Sequence, residues 1–280
     1  VIITEPGVYD IPAREYHADP WPGGSLSHSG ARKLLPPGCP AHFRHWVDHG
    51  EAPRDEWDFG HAAHSLVLGV GEPLEIVDAD SWQTKAAQVQ RKIAYAAGKV
   101  PLLRKDLAKA EAMAEVVYRH PYAGELLSEP GKPEQSMFWP DTSGITRRAR
   151  LDYLGHSGDE FVVDYKTCNS SSPEAIARAM WNYGYYQQAP WYQDAVVGVG
   201  LLEDWPEFLF IFQEKTPPYI VTVASPDEEM LAYGRARNRE AIDVYYRCKT
   251  FDHWPGYADG PVTVSLPRWA HHGLDAEVSW

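Results

Sequence analysis

Cysteine is scarce in this chain of 280 residues: Cys39, Cys168 and Cys248 are odd in number and far apart. That excludes a disulfide framework and any Cys-x-x-Cys metal knuckle, and three thiols cannot ligate a four-cysteine iron–sulfur cluster. A reducing, cytoplasmic setting fits such usage. Long apolar runs are missing too, since none approaches the roughly 20 residues that a membrane helix needs. The opening "VIITEPGVYDIPAREYH" lacks the basic-then-apolar pattern of a secretory leader. It starts on Val rather than Met, as a fragment or a processed chain would. Positive charge is short: 26 Lys and Arg face 39 Asp and Glu, a net charge of −13. That balance argues against a general electrostatic grip on nucleic acid. Any contact with phosphate must rest on a local basic surface or on bound cations.

What is present is enough chain for a sizeable core, with no repeat, no low-complexity tail and no flexible linker. A single domain over 1–280 is expected, with a mainly helical part over 1–130. A sheet core with its crossover helix follows over 131–225, and a C-terminal helix and tail over 226–280. "SLSHSGARKLL" reads as a Ser-capped helix stopped by Pro36 and Pro37, and "PAHFRHWVDHG" as one ending at Gly50. "DEWDFGHAAHSLVLG" has helical periodicity, and the Ala- and Lys-rich stretch 82–128 reads as two helices. The character then changes. "EQSMFWPD", "ITRRARLDYLG" and "DEFVVDYKT" are short, aromatic and β-branched, a meander of three strands. A long helix follows, capped by Ser172 with Pro173 at its first position and Pro190 as a kink. Strands "EFLFIFQEK" and "YIVTVAS" and a last helix from "SPDEE" complete an α/β domain with a mixed sheet.

Alternation on a strand sets Arg150, Asp152 and Leu154 on one face, and Val162, Asp164 and Lys166 on one face of the next. A hairpin can bring Asp152 and Asp164 side by side. Two adjacent carboxylates repel unless a cation or a proton lies between them. Hard divalent cations such as Mg²⁺ take oxygen ligands and leave positions for water and phosphate. Lys166 reaches the same pocket, where an ammonium can orient or deprotonate an attacking water. Taken alone, Asp164-x-Lys166 reads equally as an internal salt bridge. It is not alone. Glu134 lies on the first strand, and Gln188 and Tyr192, four apart, share a face of the following helix. Upstream, His61 and His64 are three apart, and one of them is expected as an accessory ligand to Mg²⁺ or Mn²⁺.

The ordered set Gly60-x-x-x-His64, Glu134, Asp152, Asp164-Tyr165-Lys166 and Gln188-x-x-x-Tyr192 resembles the PD-(D/E)xK nuclease family. The branch it resembles has a helical His upstream and a Gln/Tyr helix downstream, as in RecB-type nucleases and lambda exonuclease. "EYHADP…SLSHSGARKL", "FGHAAHSLVLG", "EQSMFW", "DYKT" and "SLPRWA" resemble, within it, the nuclease domain of exonuclease VIII, a phage-type recombination exonuclease. The resemblance runs from about Tyr16 to Ala270 and implies a restriction-endonuclease-like mixed sheet flanked by helices. It implies that His64, Asp152, Asp164 and the Tyr165 carbonyl hold Mg²⁺, with Mn²⁺ able to substitute. Lys166 and Glu134 would order or activate water, and Gln188 and Tyr192 would support the site. The implied activity is hydrolysis of linear duplex DNA from its ends, 5′ to 3′, by a homo-oligomeric ring beside a single-strand annealing protein. Arg147, Arg148 and Arg150, with Lys132, Arg32 and Lys33, are the candidate phosphate contacts. Two departures stand: Leu151 occupies the place of the family's Pro, and the charge gives no obvious cationic channel. The competing readings are a PD-(D/E)xK endonuclease or other repair nuclease, and an inactive module that binds DNA ends. The missing four-cysteine cluster counts against a CRISPR-adaptation nuclease.

Overall fold

The computed structural model describes residues 1–50, 55–156 and 160–267. The N-terminal part runs β1 (Gly7–Tyr9), α1 (Ala13–His17), β2 (Leu26–Ser27), α2 (His28–Leu34), α3 (Pro40–His49) and α4 (Asp55–Leu68). Then come β3 (Leu74–Val77), α5 (Lys85–Ala96), β4 (Val100–Leu103), α6 (Arg104–Arg119) and α7 (Pro121–Ser128). The meander is β5 (Gly131–Pro140), β6 (Thr146–His156) and β7 (Glu160–Cys168), followed by α8 (Pro173–Tyr183) and α9 (Tyr185–Gly198). The chain closes with β8 (Glu207–Glu214), β9 (Val221–Ala224) and α10 (Glu228–Phe251).

Local chemistry explains most of these boundaries. Ser27, Thr84, Ser172 and Asp227 accept a backbone N–H at the starts of α2, α5, α8 and α10, satisfying donors that a helix leaves unpaired. Two expectations need correction. Where one helix is read over the stretch that becomes α6 and α7, His120 adopts an extended conformation because Pro121 follows it. Its ring then caps α7 through the Ala123 N–H. The expected long helix from Pro173 also divides, at Gly184, whose φ of +74° ends α8 in the left-handed region, while Pro190 sits inside α9. Among the described residues the N-terminal part carries seven helices and also supplies four short strands. Of the stretch "SLPRWA", the last three residues lie outside the described residues.

The main sheet runs β1-β5-β6-β7-β8-β9, with β2 also paired to β6. β5, β6 and β7 are antiparallel, while β7 and β8 are parallel and joined by the α8–α9 crossover. β3 and β4 form a separate parallel pair. Leu151, Val162, Phe208, Phe210 and Phe212 pack beneath α2, α3, α8, α9 and α10. Val163, Tyr165 and Ile211 pack beneath α4, α6 and α7 on the opposite face. Among the described residues no helix is long and apolar enough to cross a membrane.

Three irregularities in this sheet shape the site. Leu151 and Leu154 lie in the same core although they are three apart, and Tyr153 lies in the other. Strict alternation therefore fails at Asp152, and the expected shared face of Asp152 and Leu154 is corrected: Leu154 turns into the core. Beside it on β5, Glu134 has a φ of +57°, a conformation that costs a residue with a Cβ on the order of 1–3 kcal/mol. The β6–β7 ladder, in turn, runs from His156–Glu160 to Tyr153–Val163 and stops. The same register continued would set Asp152 opposite Asp164. The strands part where the carboxylates meet.

Helix α9 is held from behind by α10. A Cβ on Gly234 would stand 1.8 Å from the Tyr186 carbonyl oxygen. Asn238 donates to the Gln187 carbonyl at 2.9 Å along the same seam. Gly234→Ala is expected to destabilise the protein by about 1–3 kcal/mol through this overlap, although Ala is the better helix former. Urea denaturation measures it, and unchanged stability would mean that the seam is loose.

Candidate active site

Asp164 lies at the centre of β7 with 0% of its surface exposed. Gln188 on α9 donates to its Oδ2 at 2.5 Å, and the Lys166 ammonium stands 2.5 Å from its Oδ1. The ammonium is thus the ion-pair partner of the buried Oδ1. Asp152 Oδ2 accepts the Tyr165 N–H at 2.9 Å and lies 3.0 Å from His64 Nε2. His64 Nδ1 is 3.3 Å from Glu134 Oε1, and the other Glu134 oxygen pairs with Arg150. Arg150 is itself fixed by the Ile11 carbonyl and Ser136 Oγ. Charges therefore alternate from Arg150 through Glu134 and His64 to Asp152, with Lys166 and Asp164 alongside.

Burial and mutual repulsion dominate the electrostatics. Burial, then the Asp152 charge, push the Asp164 carboxyl up to about 7, against the pull of Lys166. Burial also opposes ionisation of Asp152, but His64 and Lys166 outweigh it and hold the carboxyl below its ordinary value. For His64, burial is outweighed by Asp152, Glu134 and Asp164, which lift the imidazole to about 8. Burial likewise opposes the Lys166 charge, yet Asp164 and Asp152 carry its pKa well above the usual lysine range. Lys166 is thus a cation and a donor here, not a free base.

His64, Glu134, Asp152, Lys166 and Gln188 line one open cleft of about 2570 Å³, and Asp164 lies buried directly behind Lys166 and Gln188. His61 lines it as well, but only His64 contacts Asp152 and Glu134. Tyr192 lies one turn beyond Gln188 in the same cleft, its ring 6.1 Å from that of Phe208. Tyr165 brings its backbone to the site, while its phenol donates to Gln213 on the far side at 2.6 Å.

The expected basic contacts divide. Arg147 is buried, 3.0 Å from Asp194, with its guanidinium 4.0 Å from the Trp191 ring centroid. Arg148 is buried against Asp19 and donates to the Ser25 carbonyl and hydroxyl. Arg147 is not among the residues that line the cleft, whereas Arg148 lines it with its charge paired to Asp19. Arg150 also lines the cleft, with its charge taken up by Glu134. Arg32, Lys33 and Lys132 do line the cleft.

Tyr185 is the residue that sequence reasoning missed. The Lys166 ammonium stands 5.0 Å from its ring centroid. Its signal was available: Tyr185, Gln188 and Tyr192 are spaced at i, i+3 and i+7, one face of a helix.

The donor set fits a hard divalent cation. Two carboxylates, Asp152 and Asp164, stand beside an imidazole and the β7 backbone at Tyr165. Among the described residues no three His, Cys, Asp or Glu side chains already converge at metal-ligating distance. Lys166 and His64 supply the neutralising charge instead.

The family model described as a PDDEXK-like domain of unknown function (DUF3799) matches residues 27–262. The chain belongs to this family. Its mixed sheet flanked by helices is the restriction-endonuclease-like fold. The crystal structure described as "Putative exonuclease" from Eubacterium rectale superposes with a TM-score of 0.62 at 14% identity. That match covers 97% of this chain and 100% of the other, and at such identity it speaks for the fold alone. The structure of SSO0001 matches 68% of this chain and 85% of its own length, at 10% identity and a TM-score of 0.29, and carries no argument. No curated protein matches the chain at a significant level. A PDDEXK-like domain with this fold supports a nuclease, and PDDEXK nucleases in general depend on divalent metal.

Proposed function

We propose that this PDDEXK-like domain is a Mg²⁺-dependent exonuclease that hydrolyses linear duplex DNA from its ends. One observation carries the reading: α4, the β6–β7 fork and α9 bring His64, Asp152, Asp164, Lys166 and Gln188 into one chain of contacts. Nothing in packing requires four charges at a sheet centre, where burying them is costly. Asp152, Asp164, His64 and the Tyr165 carbonyl would hold the cation. Bound there, Mg²⁺ lowers the pKa of water and stabilises charge that develops on phosphorus oxygens. Lys166, held as an ammonium, donates to the attacking water or to a phosphate oxygen. Gln188 fixes the Asp164 carboxylate, and Glu134 orients the His64 ring through Nδ1, as partners behind metal ligands do. A new P–O bond forms from water, the bond to the leaving oxygen breaks, and the proton ends on that oxygen.

Within this reading the polarity is 5′ to 3′, the partners are double-stranded DNA ends and a single-strand annealing protein, and the assembly is a homo-oligomeric ring. The role is in phage-type recombination or end processing. Linear and closed circular duplexes, each incubated with Mg²⁺ or with EDTA, test it. Mg²⁺-dependent loss of the linear duplex alone supports an exonuclease. Cleavage of closed circles would move the function to an endonuclease, and inert protein that still retards linear DNA would leave only an end-binding module.

A further inference from the structure

The elbow between α8 and α9 reads Trp181-Asn182-Tyr183-Gly184-Tyr185-Tyr186, four aromatic rings in six residues. Rings of this size usually bury most of their area, yet Trp181 is 61% exposed and Tyr183 59%. Both line the cleft that holds Asp152 and Lys166. They are ordered rather than scattered. Trp181 stacks on Tyr186 at 5.3 Å and on Tyr233 of α10 at 5.8 Å, with planes within 27°. Tyr183 stands 5.7 Å from Tyr185, which carries Lys166 over its face. The backbone beneath is pinned: Arg32 donates to the Asn182 carbonyl at 2.8 Å, and His28 Nε2 meets the Gly184 carbonyl at 3.2 Å.

In a chain of net charge −13, Arg147, Arg148 and Arg150 direct their charge to Asp194, Asp19 and Glu134, and Arg32, Lys33 and Lys132 are among the cations that line the cleft. Stacking on bases is indifferent to that charge, and every base offers a π face whatever its identity. We propose that Trp181 and Tyr183 form a stacking platform for unpaired bases, so that the cleft takes a strand whose end is single-stranded or frayed. This rests on the nuclease reading and adds a substrate class to it. A pinned elbow suits the task, because rings that are already ordered lose little freedom when a base stacks on them.

The test measures binding without hydrolysis. The full chain in EDTA is titrated into a fluorescent oligothymidylate of about 12 nucleotides, within the usual span of such sites, and into a blunt duplex of equal length. Trp181→Ala/Tyr183→Ala is expected to weaken oligothymidylate binding about ten-fold, since stacking is worth roughly that per base. Trp181→Phe should retain most of the affinity, and the duplex should respond less. Because both rings are exposed, the double variant should melt as the wild type does, and Trp181→Phe keeps the test open should it not. Unchanged oligothymidylate binding in the double variant would overturn the platform, as would affinity in Trp181→Phe as poor as in the alanine variant. A fall in oligomer mass by light scattering with binding unchanged would assign the rings to contacts between copies of the chain. An absence of nuclease activity would leave this binding result standing. Activity with unchanged binding would remove the platform and leave the nuclease.

Discussion

Asp164→Asn is expected to lower DNA hydrolysis by about 10³-fold or more, with the protein still folded and still able to bind linear DNA in EDTA. The substitution keeps the shape of the side chain and the partner for Gln188, whose donor lies 2.5 Å from Oδ2. It removes the charge that makes Oδ1 a ligand. That oxygen is buried, with the Lys166 ammonium 2.5 Å away as its ion-pair partner. Folding should tolerate the change, because a carboxyl already held at about 7 by burial and by Asp152 gains little from ionisation. The rise in melting temperature on adding Mg²⁺ should vanish with the activity, since a cation stabilises only the state that binds it. Full activity in the asparagine variant would remove Asp164 from the site. Lost activity with an intact Mg²⁺ shift would give Asp164 a role apart from the metal.

Lys166→Met should lower turnover by about 10²- to 10⁴-fold, the usual range for a positioned proton donor or acceptor, and leave DNA affinity in EDTA nearly unchanged. Methionine keeps the apolar stem against Tyr185 and deletes the ammonium 2.5 Å from Asp164 Oδ1. Asp152 and Asp164 then face each other with less compensation, which destabilises the metal-free protein. A divalent cation supplies that missing charge, so Mg²⁺ should raise the melting temperature of this variant more than that of the wild type. The two substitutions thus move the Mg²⁺ shift in opposite directions, a contrast that general loss of folding cannot produce. An equal shift in Lys166→Met and wild type would mean that the ammonium and the cation do not share the carboxylates.

Much of this was legible in the chain. The Ser caps of α2 and α8 were read there, because a cap is a local interaction between a side chain and the backbone three residues on; Thr84 and Asp227 cap α5 and α10 in the same way. The order of His64, Asp152, Asp164, Lys166 and Gln188 was visible as spacing. The breaks at His120 and Gly184 were legible in principle, from Pro121 and from a glycine free to adopt positive φ, but helical periodicity on both sides masked them. The roles of Arg147 and Arg148 were not legible at all. Three arginines on a strand look alike in sequence, and their partners, Asp194 and Asp19, lie 47 and 129 residues away.

The sequence by itself determined the element types, the apolar faces and the residue types able to hold a cation, because each depends on neighbours within a few positions. Tertiary structure alone decided which of them meet. It parted β6 from β7 at Asp152 and Asp164, gave Glu134 a left-handed backbone, and set His64 between Asp152 and Glu134. It also turned two arginines inward and left Trp181 and Tyr183 exposed beside the cleft. The reason is physical: register, strand divergence and side-chain burial are set by contacts between segments far apart in the chain, and no local pattern encodes them.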